Sequence, residues 1–187
     1  MNLNRVLIIG FVLFLQQIYG QENQDSAILK VLLSKYYQNE KVIKKDRLQL
    51  LRFYCKKAPN NEETFEVINK SSLLKQNSKV IKSQVINTLN EDWSKELSAI
   101  FAKENQYLKS KVNDCLSLEA YQKVSDRFND HNQRLMIVSK PMYFASKYCL
   151  VKVAFYRNIE HNNGCFIVLE NKENVWTIVD LLNEWST

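Results

Sequence analysis

The chain has 187 residues, 45% of them hydrophobic and 25% charged, with a formal net charge of +6. That length is ample for one domain with a real core and short for two. With three Gly and two Pro in all, phosphate-cradling Gly loops, a dinucleotide fingerprint, a G-x-S-x-G elbow and a flexible interdomain joint all lack their material.

Residues 1–20 carry one positive charge, Arg5, then an apolar run from Val6 to Leu15, then the small residue Gly20. This order predicts a secretory signal peptide cut after Gly20, because a membrane-spanning helix needs about 20 apolar residues and the run has about half that. An uncleaved N-terminal anchor is the alternative. Residues 21–187 are then expected to form a single α+β domain, secreted or periplasmic, with no transmembrane segment after cleavage.

Asp25-Ser26 is a helix-start signal, and Ile28, Val31, Leu32 and Tyr36 follow at helical spacing, which predicts a helix over 26–38. The stretch from Lys41 to Lys57 holds most of the positive excess: Lys41, Lys44, Lys45, Arg47, Arg52, Lys56 and Lys57 are opposed within it only by Asp46. Its periodicity leaves helix and strand open, since Leu48, Leu51 and Cys55 fit a helix face while Leu48, Leu50, Arg52 and Tyr54 alternate. Pro59-Asn60-Asn61 ends the element, and Thr64 to Asn69 is predicted as a short strand. Asn69-Lys70-Ser71 is a glycosylation sequon in a host that modifies such sites. Helical stripes follow from Ser78 (Val80, Ile81, Gln84, Val85, Thr88, Leu89), from Trp93 (Leu97, Ile100, Phe101) and from Ser117 (Leu118, Tyr121, Val124, Phe128).

The last third changes period. Leu135 to Ser139 alternates and stops at Pro141. In Lys147 to Arg157, Cys149, Val151, Val153 and Phe155 define a fully apolar strand face. Asn162-Asn163-Gly164 reads as a hairpin turn into a strand from Cys165 to Glu170, and Asn171 to Asn174 as a second turn before Val175 to Val179. Trp185 is expected to cover one open end.

These residues carry a resemblance. Ser139-Lys140-Pro141, Phe144, Tyr148-Cys149-Leu150-Val151, Gly164-Cys165, Val168-Leu169-Glu170 and Val175-Trp176-Thr177-Ile178 resemble the C-terminal half of small secreted bacterial proteins of unknown function. The resemblance implies secretion and an α+β fold, and carries no catalytic residues across. The chain departs from that pattern with Asn174 in place of a turn Gly and a single Cys165 in place of a Cys pair.

An exported chain with four cysteines, Cys55, Cys115, Cys149 and Cys165, permits two disulfides in three connectivities, with small buried free thiols as the alternative. A turn at Asn163-Gly164 would put Cys149 about eleven residues along the partner strand from Cys165, on the order of 30 Å, which disfavours that pair. Neither His131 nor His161 lies in a zinc-binding frame, and no metal or other cofactor is expected. A thiol nucleophile set of Cys165, His161 and Asp180 matches no known signature, and solvated turn residues are the better account of Glu160-His161.

The sharper site is the basic stretch, where Phe53 and Tyr54 are interleaved with Lys41, Lys44, Lys45, Arg47, Arg52, Lys56 and Lys57. Cations beside stacking residues suit an acidic protein or an anionic glycan or lipid surface, and export argues against nucleic acid. The expected fold is α+β: N-terminal helices packed on a C-terminal antiparallel sheet of about four strands, with a cystatin-like or NTF2-like roll as the analogy. The expected function is an exported, non-catalytic binding or inhibitor-type protein. A small secreted hydrolase or thiol enzyme using Cys165 and His161, and a structural component of an envelope assembly, are the alternatives.

Overall fold

The computed structural model describes residues 24–37, 51–85, 90–103, 112, 115–128, 134–158 and 160–187. The predicted signal peptide, Lys41, Lys44, Lys45, Arg47, His131 and the 86–89 end of one predicted helix lie outside the described residues.

The sheet is wider than the four antiparallel strands expected from the sequence. Among the described residues seven strands form it, in the order β2-β1-β3-β5-β6-β7 with β4 paired to β5. The antiparallel part is β3 (Arg134–Val138), β4 (Met142–Phe144), β5 (Tyr148–Tyr156), β6 (Asn162–Lys172) and β7 (Val175–Ser186). Two strands from earlier in the chain extend it: β1 (Leu51–Tyr54) runs parallel to β3, and β2 (Cys115–Leu116) runs parallel to β1. The α+β class holds, and the sheet is mixed because β1 reaches β3 only after a helical crossover.

Helices cover both faces. On one face a helix over residues 24–37, α1, buries Ile28, Leu29, Leu32, Leu33 and Tyr37 against Met136, Val138, Cys149, Val151, Val153, Phe155, Ile167 and Leu169. Beside it, α5 (Ser94–Lys103) contributes Leu97 and Ile100, with Trp93 just before it. On the other face α2 (Glu63–Ile68), α3 (Ser72–Gln76) and α4 (Ser78–Lys82) place Val67, Ile68, Leu74 and Ile81 against Leu150, Phe166 and Val168. Cover on both sides explains why Cys165 to Glu170 is a continuous buried run rather than an alternating one. The amphipathic helix α6 (Leu118–Phe128) follows β2 and buries Tyr121.

Three local expectations are corrected. Thr64 to Asn69 is helical, not extended, because Thr64, Val67 and Ile68 make one buried helical face and Glu63 and Glu66 stand in the first turn, where the helix dipole favours them. The hairpin between β5 and β6 turns before Asn162, where Asn158 Oδ1 accepts the amides of Glu160 and His161 at 3.0 and 2.8 Å. Gly164 is therefore a strand residue opposite Ala154. A Cβ there would meet the Trp185 ring and the Val153 carbonyl oxygen, each at 2.7 Å, so glycine is required for close approach and not for a turn.

The shifted turn also moves Cys165, which pairs with Val153 while Cys149 pairs with Leu169. The two cysteines are thus offset by about four positions, roughly 13 Å along the strands. Both are free and buried, and the disulfide is Cys55–Cys115, with Cα atoms 4.7 Å apart where β1 meets β2.

Candidate functional site

The described part of the basic stretch splits between core and surface. Phe53 is fully buried and Lys57 is 5% exposed, so neither is presented for stacking or for an external anion. Arg52 and Tyr54 are half-buried and Lys56 is exposed.

Lys57 anchors a buried ionic cluster. Its Nζ donates to Asp25 Oδ2 and to Glu96 Oε1, both at 2.7 Å, and lies 4.6 Å from the centre of the Trp93 ring. Asp25 Oδ1 accepts the Tyr143 hydroxyl. Burial alone would lower the Lys57 pKa, but Asp25 and Glu96 outweigh it and hold the ammonium above its ordinary range. Burial and then Asp25 push the Tyr143 hydroxyl up, so it stays a donor. Cys149, fully buried, is pushed well up by the same causes. A permanently charged lysine between two carboxylates is no nucleophile, and the cluster instead ties α1, the exit of β1, α5 and β4 together. The sequence held one signal for it, the Asp25 start of α1, but partners 32 and 39 residues away in sequence leave no trace in local periodicity.

The thiol set is not assembled. Cys165 faces the α1 side with Val153 and Ile167, whereas Asp180 pairs with Val168 on the opposite face of the sheet. His161 is exposed on the turn. Burial pushes the Cys165 thiol up and its contact with Tyr36 only partly offsets that, so the reactive thiolate is disfavoured.

What the structure does gather lies at one end of the sheet. The register brings Leu51 beside Arg134, Leu135 beside Tyr156, Tyr156 beside Asn162 and Asn163 beside Ser186. Two adjoining cavities open there. One of about 370 Å³ is lined by Phe155, Cys165, Glu184, Trp185 and their neighbours. The other, about 210 Å³, is lined by Arg134, Arg157, His161, Asn162 and Thr187 among others. Phe155, Asn163 and Ser186 belong to both, so they form one groove. Tyr36 at the end of α1 packs edge-on against Phe155, ring centres 4.8 Å apart, with its hydroxyl 3.7 Å from Cys165 Sγ.

The rim is held by hydrogen bonds. The Tyr121 hydroxyl, its pKa pushed up to about 12 chiefly by burial, donates to the carbonyls of Tyr156 and Arg157 at 3.4 and 3.2 Å. The Arg157 amide donates to the His161 carbonyl at 3.2 Å. Across the groove the Thr187 amide donates to the Asn162 carbonyl at 2.8 Å. Sequence reasoning noticed His161 and Cys165, for a different chemistry, and missed Arg134 and Arg157 because they are 23 positions apart and meet only through the β3–β5 pairing.

Among the described residues no group of three or more His, Cys, Asp or Glu is placed to hold a metal ion, and no helix is long and apolar enough to cross a membrane. The fold and groove define an α+β protein with a mixed sheet and an aromatic-floored cleft. No protein-family model, curated protein or solved structure matches the chain.

Proposed function

We propose that the chain is an exported, non-catalytic binding or inhibitor-type protein, secreted or periplasmic, whose ligand occupies the groove at the open end of the sheet. The observation that carries this is the groove itself: two joined cavities over a single aromatic floor, with their polar walls fixed by backbone hydrogen bonds. Export is supported by the order Arg5, Val6 to Leu15 and Gly20, and by the Cys55–Cys115 bridge, a bond that persists in oxidising compartments. The cationic wall suits an acidic partner or an anionic glycan or lipid, in keeping with the basic composition. The roll analogy supplies no part of this reading.

The test is thermal denaturation of the disulfide-intact chain against a panel of small anions, cations, sugars and short peptides, repeated with His161→Ala, a change at an exposed residue of the groove. A class that raises Tm in the wild type and not in the variant is expected. A panel without a shift, or with equal shifts in both proteins, removes the groove as a ligand site. Cys165 lines the groove, so a thiol enzyme is the second reading. Turnover of an ester or amide substrate lost in Cys165→Ser would establish it in place of binding. Elution as an oligomer or retention with the envelope fraction would point to the assembly role.

A further inference from the structure

We infer that Asn69 is an acceptor for an N-linked glycan, added during export by transfer from a lipid-linked oligosaccharide. This rests on export, one part of the function proposed above, and not on the groove.

Asn69-Lys70-Ser71 is the one Asn-x-Ser/Thr triplet in the sequence. A sequon alone says only that the residues stand in order; whether the amide can carry a bulky, hydrated chain of sugars depends on where the fold puts it. The fold puts it outside. Val67 and Ile68 turn inward onto the sheet, and Asn69 and Lys70, which follow them, are exposed. At this end of α2 the Asn69 amide donates to the Glu66 carbonyl at 3.1 Å and the Lys70 amide to the Val67 carbonyl at 3.0 Å, so backbone bonds close the turn. The Asn69 side chain is left at the surface, where Nδ2 donates to the Phe65 carbonyl at 3.2 Å. Ser71 then takes extended backbone (φ −132°, ψ 133°) at the start of α3, and its hydroxyl does not cap that helix.

In the transfer Asn69 Nδ2 bonds to the anomeric carbon of the first sugar, and the bond from that carbon to the lipid pyrophosphate breaks. The pyrophosphate oxygen keeps the electron pair, and one of the two Nδ2 protons leaves. The remaining N–H can still serve the Phe65 carbonyl. Phe65 lies one turn earlier on the same helix face and is 39% exposed, so a sugar on Asn69 sits beside a large apolar side chain that faces solvent. None of the three sequon residues lines the groove.

The experiment is expression of the full chain, with its own leader, in eukaryotic cells that N-glycosylate, and mass measurement of the secreted protein before and after peptide N-glycosidase. The secreted chain is expected to be heavier by a glycan, which the enzyme removes, leaving aspartate at position 69. Asn69→Gln should be secreted without the extra mass. Ser71→Ala, which keeps Asn69 and its bond to Phe65, should also lose the glycan and Ser71→Thr should keep it; this pair carries the comparison if Asn69→Gln fails to fold. A wild-type chain secreted without the extra mass overturns the inference and leaves export standing. A glycan that persists in both Asn69→Gln and Ser71→Ala overturns it as well. A chain retained in the cytosol overturns export and the modification with it, because the chain then never meets the lumenal donor.

Discussion

At the end of the sheet where β4 meets β5, Lys57 is enclosed between Asp25 and Glu96, and Tyr143 is committed to Asp25. At the opposite end Arg157 and His161 line a cleft beside Phe155. The helix α1 connects the two, for its 14 residues (24–37) span about 20 Å, from Asp25 in the cluster to Tyr36 at the groove. Buried charge is tolerated only when paired, so the closed end is a device for position, whereas polar groups lining a cleft are available to something else. The difference teaches where to look for function in a chain with no sequence signature: at the charges that the fold gathers and leaves accessible.

The largest effect is expected from breaking the closed end. Lys57→Ala leaves two carboxylates buried beside each other and should cost about 3–5 kcal/mol in urea unfolding. Adding Asp25→Asn and Glu96→Gln should recover part of it, and failure to do so would mean that Lys57 acts through packing on Trp93. Removing the bridge with Cys55→Ala and Cys115→Ala should cost about 2–4 kcal/mol, because its closure spans 60 residues. Reductant should reproduce the loss in the wild type and change nothing in the double variant.

How much of this was legible in the sequence follows from the range of each interaction. The α1 stripe and the apolar face of β5 were readable because their information is local: Ile28 to Leu32, and Cys149 to Phe155, repeat with the period of their own element. The helix α2 was misread because a six-residue segment contains fewer than two turns and Phe65, Val67 and Ile68 fit either period. The two-residue β2 has no period at all. The groove and the ionic cluster were illegible for one shared reason: each joins residues distant in sequence, the groove through the β3–β5, β5–β6 and β6–β7 pairings and the cluster once β1 lies beside β3. The turn shift is the instructive error, since Asn162-Asn163-Gly164 has turn chemistry but Gly164 serves the Trp185 ring.

That error supplies the next test, at the open end. Gly164→Ala forces a methyl against the Val153 carbonyl, which cannot move without the strand, and against Trp185; it should cost about 1–3 kcal/mol. Pairing it with Trp185→Ala relieves one of the two contacts, so the double variant should recover only part of the loss. A smaller, pH-dependent effect separates the ends. Lys147 and then Lys172 hold the Glu170 carboxyl down to about 2 from its ordinary 4.5. A depressed pKa means that the unfolded state binds the proton first, so the contribution is fully present above about pH 4.5 and is lost as pH falls through about 2. The urea midpoints of wild type and Glu170→Gln should therefore differ at pH 7 and converge toward pH 2; a difference that stays constant would assign the effect to packing.

The smallest effect on stability is expected where the effect on binding is greatest. Arg157→Ala and His161→Ala remove side chains from the wall of a cleft, and the interactions that hold this turn in place, from Tyr121 and Asn158, go to backbone atoms that survive both substitutions. Each variant should therefore melt like the wild type, within about 0.5 kcal/mol, as surface changes away from buried networks do. Lys57→Ala should do the reverse, unfolding easily while the chain that remains folded at low temperature keeps its groove. If Arg157→Ala instead destabilised the protein as Lys57→Ala does, the guanidinium would belong to the framework, and the contrast between a closed end that positions and an open end that binds would fail at the residue on which it most depends.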